Sequence, residues 1–180
     1  MGLIGHRLTR CHAPMRAWHP VRSRRWKRAV ESINGFVLDV ETGGLSPRLS
    51  DLFEVGMVGV HRGVVVSTHR WFVQRDPRKA FDDHCIELHS RRSVDVTWSA
   101  ASVVKQVSAQ IVFYNRLYGV RPRIIGHNVP FDLAFMNHAA HDNGLHDPFE
   151  CQDLVSRRFL DTMVLAGAMQ GMRGFESISL

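Results

Sequence analysis

The first half of the chain alternates between apolar runs and short polar turns in a way that predicts three adjacent strands. Residues 36–41, 53–60 and 63–73 are rich in valine and aromatic residues, and the first run stops at a Thr-Gly-Gly turn. Runs of this length and composition that end at glycine or polar residues are typical of β-strands. Because so few residues separate the three runs, we expect an antiparallel meander.

The second half of the chain changes to a helical period. Residues 100–118 place Val103, Val107 and Ile111 on one face, and Gly119 follows as a C-terminal stop. Two short strands and two further helices are predicted at residues 123–126, 128–141, 158–161 and 162–170. This order predicts an α/β fold whose mixed sheet has three antiparallel strands and then two parallel ones.

Length and composition bound the class of protein. The 180 residues suffice for one domain with a buried core, and 44% of them are apolar. The apolar runs stay far short of the ~20 residues of a membrane helix, so we expect no membrane association. Cys11, Cys85 and Cys151 form no C-x-x-C pair, which indicates reduced thiols and an intracellular, cytoplasmic setting.

The positive charge is concentrated at the start of the chain. Residues 1–30 hold eight basic side chains and no acidic one, which leaves 15 basic against 17 acidic residues in the remainder. We therefore predict a basic, disordered arm over residues 1–32 and one domain over residues 33–180. The arm has three interpretations: a wrong start with Met15 as initiator, a phosphate-binding arm, or an arginine-rich transit peptide.

Two acidic residues at the end of the first strand indicate metal chemistry. Asp39 and Glu41 are two positions apart, so both carboxylates project from the same face of the strand. A divalent cation such as Mg²⁺ would neutralise such a pair and prefers oxygen ligands. Gly43 and Gly44 follow and allow a substrate to approach the backbone closely. The alternative is a solvated strand end with two unrelated acids.

Asp132 provides a third carboxylate. It lies in the first turn of the helix that follows the short strand at residues 123–126. From there its carboxylate can face the end of the first strand and complete a cluster with Asp39 and Glu41. The alternative role is a favourable charge at a helix N-terminus.

Two short stretches resemble motifs of a known family. Residues 39–44 read D-V-E-T-G-G and resemble the D-x-E-T-x-G motif of the DEDD (DnaQ-like) 3′-to-5′ exonuclease superfamily, while residues 127–132 read H-N-V-P-F-D and resemble its second motif, H-N-x-x-F-D. Residues 51–56 and 159–162 resemble the family's intervening and late segments. The resemblance covers about residues 33–180. Within the family, the chain is most similar to ribonuclease T and the proofreading subunit of DNA polymerase III.

This resemblance implies an RNase H-like fold and a two-metal mechanism. Two Mg²⁺ or Mn²⁺ ions, roughly 4 Å apart, would activate the attacking water and stabilise the leaving 3′ oxygen. Asp39, Glu41 and Asp132 would be the catalytic metal ligands. The substrate would be the 3′ end of single-stranded DNA or RNA, and the product a nucleoside 5′-monophosphate.

The resemblance also implies contacts with nucleic acid. The residues concerned are Thr42, Gly43, Gly44, Leu45, His89, Asn128 and Phe131. Asn128 and Phe131 would in addition brace the second motif. His84 and His89 have a spacing compatible with zinc on a helix, but no second pair of strong ligands accompanies them, which favours surface histidines.

The family's third motif, His-x₄-Asp or Tyr-x₃-Asp, does not occur in these 180 residues apart from the overlap of His127 with Asp132. We therefore expect a domain truncated before its C-terminal helix, with apolar sheet surface left uncovered. Without a general base, hydrolysis should be ~10²–10⁴-fold slower. Asp161 is interpreted as structural, capping the helix that follows it.

Two other functions stay open on the sequence alone. The first is a catalytically inactive module that binds nucleic acid. The second is a proofreading-type subunit that acts only when docked on a polymerase. A homodimer partner is also possible.

Overall fold

The computed structural model describes residues 24–80, 82, 85, 97–151 and 153–169. In chain order the elements are α1 (Arg24–Glu31), β1 (Gly35–Thr42), β2 (Leu52–His61), β3 (Val64–Phe72), α2 (Ala100–Tyr118), β4 (Arg123–Gly126), α3 (Val129–Asp142), β5 (Leu160–Asp161) and α4 (Thr162–Met169).

The strands form one five-stranded sheet in the order β3-β2-β1-β4-β5. β1 pairs antiparallel with β2, and β2 pairs antiparallel with β3. β4 and β5 extend the other side in parallel. The predicted α/β fold, with three antiparallel strands followed by two parallel strands, is therefore confirmed.

One face of the sheet carries the hydrophobic core. Phe36, Leu38 and Val40 alternate along β1 with more exposed positions and are buried. Helices α2 and α3 contact the strands and each other, and their core side chains are Val103, Val107, Ile111, Phe135 and Met136. Helix α2 ends as predicted at Gly119, whose left-handed backbone (φ 64°) favours glycine.

The opposite face carries Asp39 and Glu41. Val37 shares this face and is 37% exposed, so the sheet is open to solvent at β1 within the described part of the chain. The two acids thus stand on an accessible surface, while the alternate residues of the same strand fix it to the core.

Helix α1 corrects part of the disordered-arm prediction. Residues 24–31 were assigned to the arm, yet they form a helix that packs on the β2–β3 turn, and Trp26, Ala29 and Val30 recur in it at the helical spacing i, i+3, i+4. A Cβ added to Gly63 would lie 2.5 Å from Val30 Cγ1, which shows how closely the two segments pack. Gly63 N also donates to Ile33 O (3.0 Å). Residues 1–23 lie outside the described residues.

Strand β5 is shorter than predicted, since it spans only Leu160–Asp161. Among the helices that the structure describes, none combines the length and apolarity needed to cross a membrane.

Candidate active site

Asp39 and Glu41 project from the accessible face at the C-terminal end of β1. The strand register places Glu41 directly opposite Glu54 of β2. Three carboxylates therefore share one small area of the sheet. Burial, and then the charge of Glu54, raise the pKa of Asp39 above its ordinary value.

Arg70 of β3 offsets part of this negative charge. Its Nε and Nη2 donate to Glu54 Oε1 (2.5 Å) and Oε2 (3.0 Å). The guanidinium also lies over the ring of Phe72, 4.6 Å from its centroid. A two-point hydrogen-bonded pair of this kind fixes both side chains, and the charge of Arg70 also acts on Glu41.

Asp132, in the first turn of α3, lies beside β1. Its Oδ1 accepts a hydrogen bond from Val40 N (2.9 Å), the amide of the peptide that joins Asp39 to Val40. The side chain is buried, with the residue only 4% exposed. Burial raises the pKa of Asp132 to about 7, with smaller contributions from the charges of Asp39 and Asp161, although the Val40 bond opposes the change.

A carboxylate on β5 holds the start of α3. Asn128 adopts a left-handed backbone (φ 59°), which asparagine tolerates better than most residues. Its side chain makes no capping bond; instead Asp161 of β5 accepts from Asn128 N and Val129 N, both at 3.0 Å. Asp161 also accepts from Met163 N (2.9 Å), so its predicted capping of the following helix is confirmed. Burial raises the pKa of Asp161, but the backbone donors outweigh it and hold the pKa below its usual range.

The loop after β1 combines a fixed backbone with one projecting side chain. Thr42 Oγ1 donates to Gly44 O (2.8 Å), and Gly43 N donates to Asp51 O (2.7 Å). A Cβ on Gly44 would lie 2.6 Å from Ser50 Oγ, so the loop packs tightly there. Leu45, in contrast, is 87% exposed. The predicted nucleotide-binding residues 42–45 thus form one structured loop beside Glu41.

The remaining predicted binding residues are placed less directly. Phe131 packs against Phe135, with ring centroids 5.0 Å apart, and therefore braces the first turn of α3. His127 is exposed, and its Nδ1 lies 3.2 Å from Thr162 Oγ1. His84 and His89 lie outside the described residues.

The donor set suits a hard cation, although the side chains are not yet arranged around one. Within residues 24–80, 97–151 and 153–169, with 82 and 85, no group of three or more His, Cys, Asp or Glu side chains is placed to hold a metal ion. Asp39 and Asp132 nevertheless have raised pKa values, chiefly because of burial. Carboxylate oxygens with unneutralised charge are the ligands that Mg²⁺ and Mn²⁺ prefer.

Comparisons with known proteins were made for sequence and for fold. No protein-family model matches the chain. Among curated relatives, it is 26% identical over 132 residues to DNA polymerase III PolC-type of Mycoplasmopsis pulmonis, covering 72% of this chain and 8% of the relative. It is 26% identical over 139 residues to the PolC-type polymerase of Latilactobacillus sakei, covering 77% and 9%.

Solved structures of exonuclease I share the fold. Escherichia coli exonuclease I in complex with a dT13 oligonucleotide superposes with a TM-score of 0.63 at 14% identity, covering 78% of this chain and 30% of that one. The zinc-bound form of the complex of E. coli exonuclease I with single-stranded DNA gives 0.63 at 15% identity, with the same coverage. Together, these findings support the DEDD exonuclease superfamily.

The expected RNase H-like exonuclease fold is confirmed by this likeness. The chain spans less than a tenth of the curated relatives and about a third of exonuclease I. The shared fold covers 78% of this chain, whereas the activity of the much longer proteins is a separate matter.

Sequence reasoning missed two features of the candidate site. The Glu54–Arg70 pair depends on the register of β2 against β3, which shifts between Gly59 and Val60. The contact from Asp161 to the start of α3 joins residues more than 30 positions apart. Segments 51–56 and 159–162, which resemble family segments, were the available signals for both.

Proposed function

We propose that this chain is a metal-dependent 3′-to-5′ exonuclease domain that acts on the ends of single-stranded DNA or RNA. The observation that supports this most is the bond from Val40 N to Asp132, which brings the carboxylate of the second motif beside Asp39 of the first. The tightly structured loop of residues 42–45 lies at the same end of β1, where a terminal nucleotide could contact it.

Asp39, Glu41 and Asp132 would hold two Mg²⁺ or Mn²⁺ ions. The ions would supply stabilisation of negative charge on the attacking and leaving oxygens. Asp132 would have to give up its proton when they bind, because burial keeps it largely protonated up to about pH 7. Asp39 and Glu41 already project from the accessible face of β1.

The reaction would hydrolyse the last phosphodiester bond of the strand. A water oxygen would add to the phosphorus, the P–O bond to the preceding 3′ oxygen would break, and that oxygen would leave with a proton. Leu45 would pack against the terminal base, and Thr42 to Gly44 would offer backbone contacts to its sugar and phosphate. Asn128 and Phe131 would support the position of Asp132.

A second candidate function is binding of nucleic-acid ends without cleavage. It is favoured by the loop of residues 42–45, whose fixed backbone and exposed Leu45 could contact a terminal nucleotide without a metal ion. The PolC-type relatives favour a related form of this idea, in which the domain works as part of a polymerase assembly.

A nuclease assay tests the first proposal. Short single-stranded DNA and RNA carrying a 5′ label are incubated with the protein in Mg²⁺, in Mn²⁺ and in EDTA. We expect stepwise shortening from the 3′ end with release of 5′-mononucleotides, loss of the reaction in EDTA, and at least ~10²-fold loss in Asp39→Asn. Asp153→Asn is the matched control, since it removes an exposed carboxylate distant from this cluster in sequence.

The same samples distinguish the alternatives. Strand binding without shortening in either metal supports the binding module. Shortening that appears only when a polymerase is added supports the assembly. Cleavage that persists in EDTA or in Asp39→Asn contradicts a metal-dependent site at this position.

A further inference from the structure

We infer that Asp161 and Thr162 are positioning residues that clamp the start of α3 and thereby hold Asp132 against β1. This inference rests on the proposed function for its catalytic meaning, whereas its geometry can be tested without activity. It assigns a role to the β5–α4 junction, which lies outside both of the motifs that carry the site.

The clamp consists of contacts from two neighbouring residues to one short loop. Asp161 receives the N–H groups of Asn128 and Val129, both at 3.0 Å. Thr162 Oγ1 donates to Gly126 O (3.0 Å) and lies 3.2 Å from His127 Nδ1. This pair therefore contacts each of the four consecutive residues 126–129, from the last residue of β4 to the first residue of α3.

The first turn of α3 is thus attached to the sheet on two sides. Asp161 attaches its backbone to β5, and Asp132, three residues after Val129, attaches its side chain to β1 through Val40 N. The backbone at Gly126, just before this turn, packs closely against β1, because a Cβ there would lie 3.0 Å from Leu38 O. A shift of the helix start would consequently move the Asp132 carboxylate away from β1.

The substitution Asp161→Asn is a sharp probe because it keeps the size of the side chain. Asp161 Oδ1 accepts two N–H donors and Oδ2 accepts one. An amide has only one acceptor oxygen, so its NH₂ group would face at least one backbone N–H donor. The helix start would then lose contacts with β5 although the volume is unchanged.

Hydrogen–deuterium exchange of individual amides, followed by NMR in EDTA, reads the result directly. The amide of Val40 reports on Asp132, because its N–H donates to that carboxylate. We expect Asp161→Asn to speed exchange at Asn128, Val129 and also Val40 by at least about tenfold, while amides in the middle of α2 keep their protection. Asp153→Asn, an exposed carboxylate in the same segment, should change none of them.

The inference is overturned if Asn128 and Val129 exchange faster while Val40 stays protected, since Asp161 would then be only a helix cap. Should Asp161→Asn lose protection in α2 as well, Thr162→Val decides the matter: faster exchange at Val40 supports the clamp, and unchanged exchange refutes it. None of these results depends on cleavage, so a chain without nuclease activity would sink the proposed function and leave the clamp standing.

Discussion

Replacing Asp132 by asparagine should make the metal-free protein more stable at alkaline pH. The folded protein raises the pKa of Asp132 from 3.8 to about 7, chiefly through burial. One pKa unit corresponds to 1.36 kcal/mol, so ionising this carboxyl in the fold costs up to about 4 kcal/mol. Asparagine carries no charge, and its amide oxygen can still accept the bond from Val40 N.

The sign of the pH dependence follows from the two pKa values. Unfolded Asp132 ionises near pH 3.8, whereas the folded residue keeps its proton up to about pH 7. The wild type therefore loses stability from this residue as the pH rises from about 4 to 7, and no more beyond that. The stability difference between Asp132→Asn and wild type should be small near pH 4 and fully developed above pH 7.

Thermal unfolding followed by circular dichroism in EDTA at pH 4.5, 6 and 8 measures this difference. For a domain of this size we expect Asp132→Asn to melt about 4–16 °C above wild type at pH 8. This corresponds to about 2–4 kcal/mol, the cost of ionising the buried carboxyl that the substitution removes. Asp153→Asn serves as the control for removal of an unrelated carboxylate. A difference that is independent of pH, or a wild type that is the more stable protein at pH 8, would refute the assignment of Asp132 as a buried, uncompensated acid.

Three further predictions concern other parts of the site and fold. Leu45→Ala should raise KM for oligonucleotides severalfold with little change in kcat or in Tm, whereas the control Leu49→Ala, at a similarly exposed residue, should leave KM unchanged; equal effects on KM would remove Leu45 from the nucleotide site. Gly63→Ala should lower the free energy of unfolding by about 1–3 kcal/mol because it adds strain at φ 77° and collides with Val30. The control Gly119→Ala, at φ 64° with open space around it, should lower it less. The reverse order in urea unfolding would contradict the packing of α1. Arg70→Gln should lower Tm more than Arg78→Gln, because it leaves the buried Glu54 without its two-point partner whereas Asp76 is more exposed; equal melting temperatures would show that the Glu54 pair is not structural.

Periodicity and turn chemistry were sufficient to predict most of the elements. Helix α2 has the predicted bounds because its buried residues recur at helical spacing and Gly119 ends it in a left-handed conformation. Helix α1 was missed because its apolar positions 26, 29 and 30, although at helical spacing, stand among basic residues and were assigned to the arm. The packing of Val30 against Gly63 becomes visible only in the assembled fold.

The same distinction applies to the site: some of its features could be predicted from local sequence patterns, and others depend on contacts between distant residues. Asp39 and Glu41 share a face because strands have a period of two, and Asp132 was placed beside them through its motif. The pairing of Glu41 with Glu54 requires the register of two strands. The contacts of Asp161 require β5 to lie next to β4, and only the assembled sheet provides this.

The most direct test of a site built from Asp39, Glu41 and Asp132 is titration of the folded protein with Mn²⁺ by isothermal calorimetry near pH 8. The wild type should bind the metal, and Asp39→Asn, Glu41→Gln and Asp132→Asn should each weaken binding at least about tenfold, whereas Asp153→Asn should bind as the wild type does. A wild type that binds no Mn²⁺, or three variants that bind it as tightly as the wild type, would contradict the proposal that these carboxylates form the metal centre.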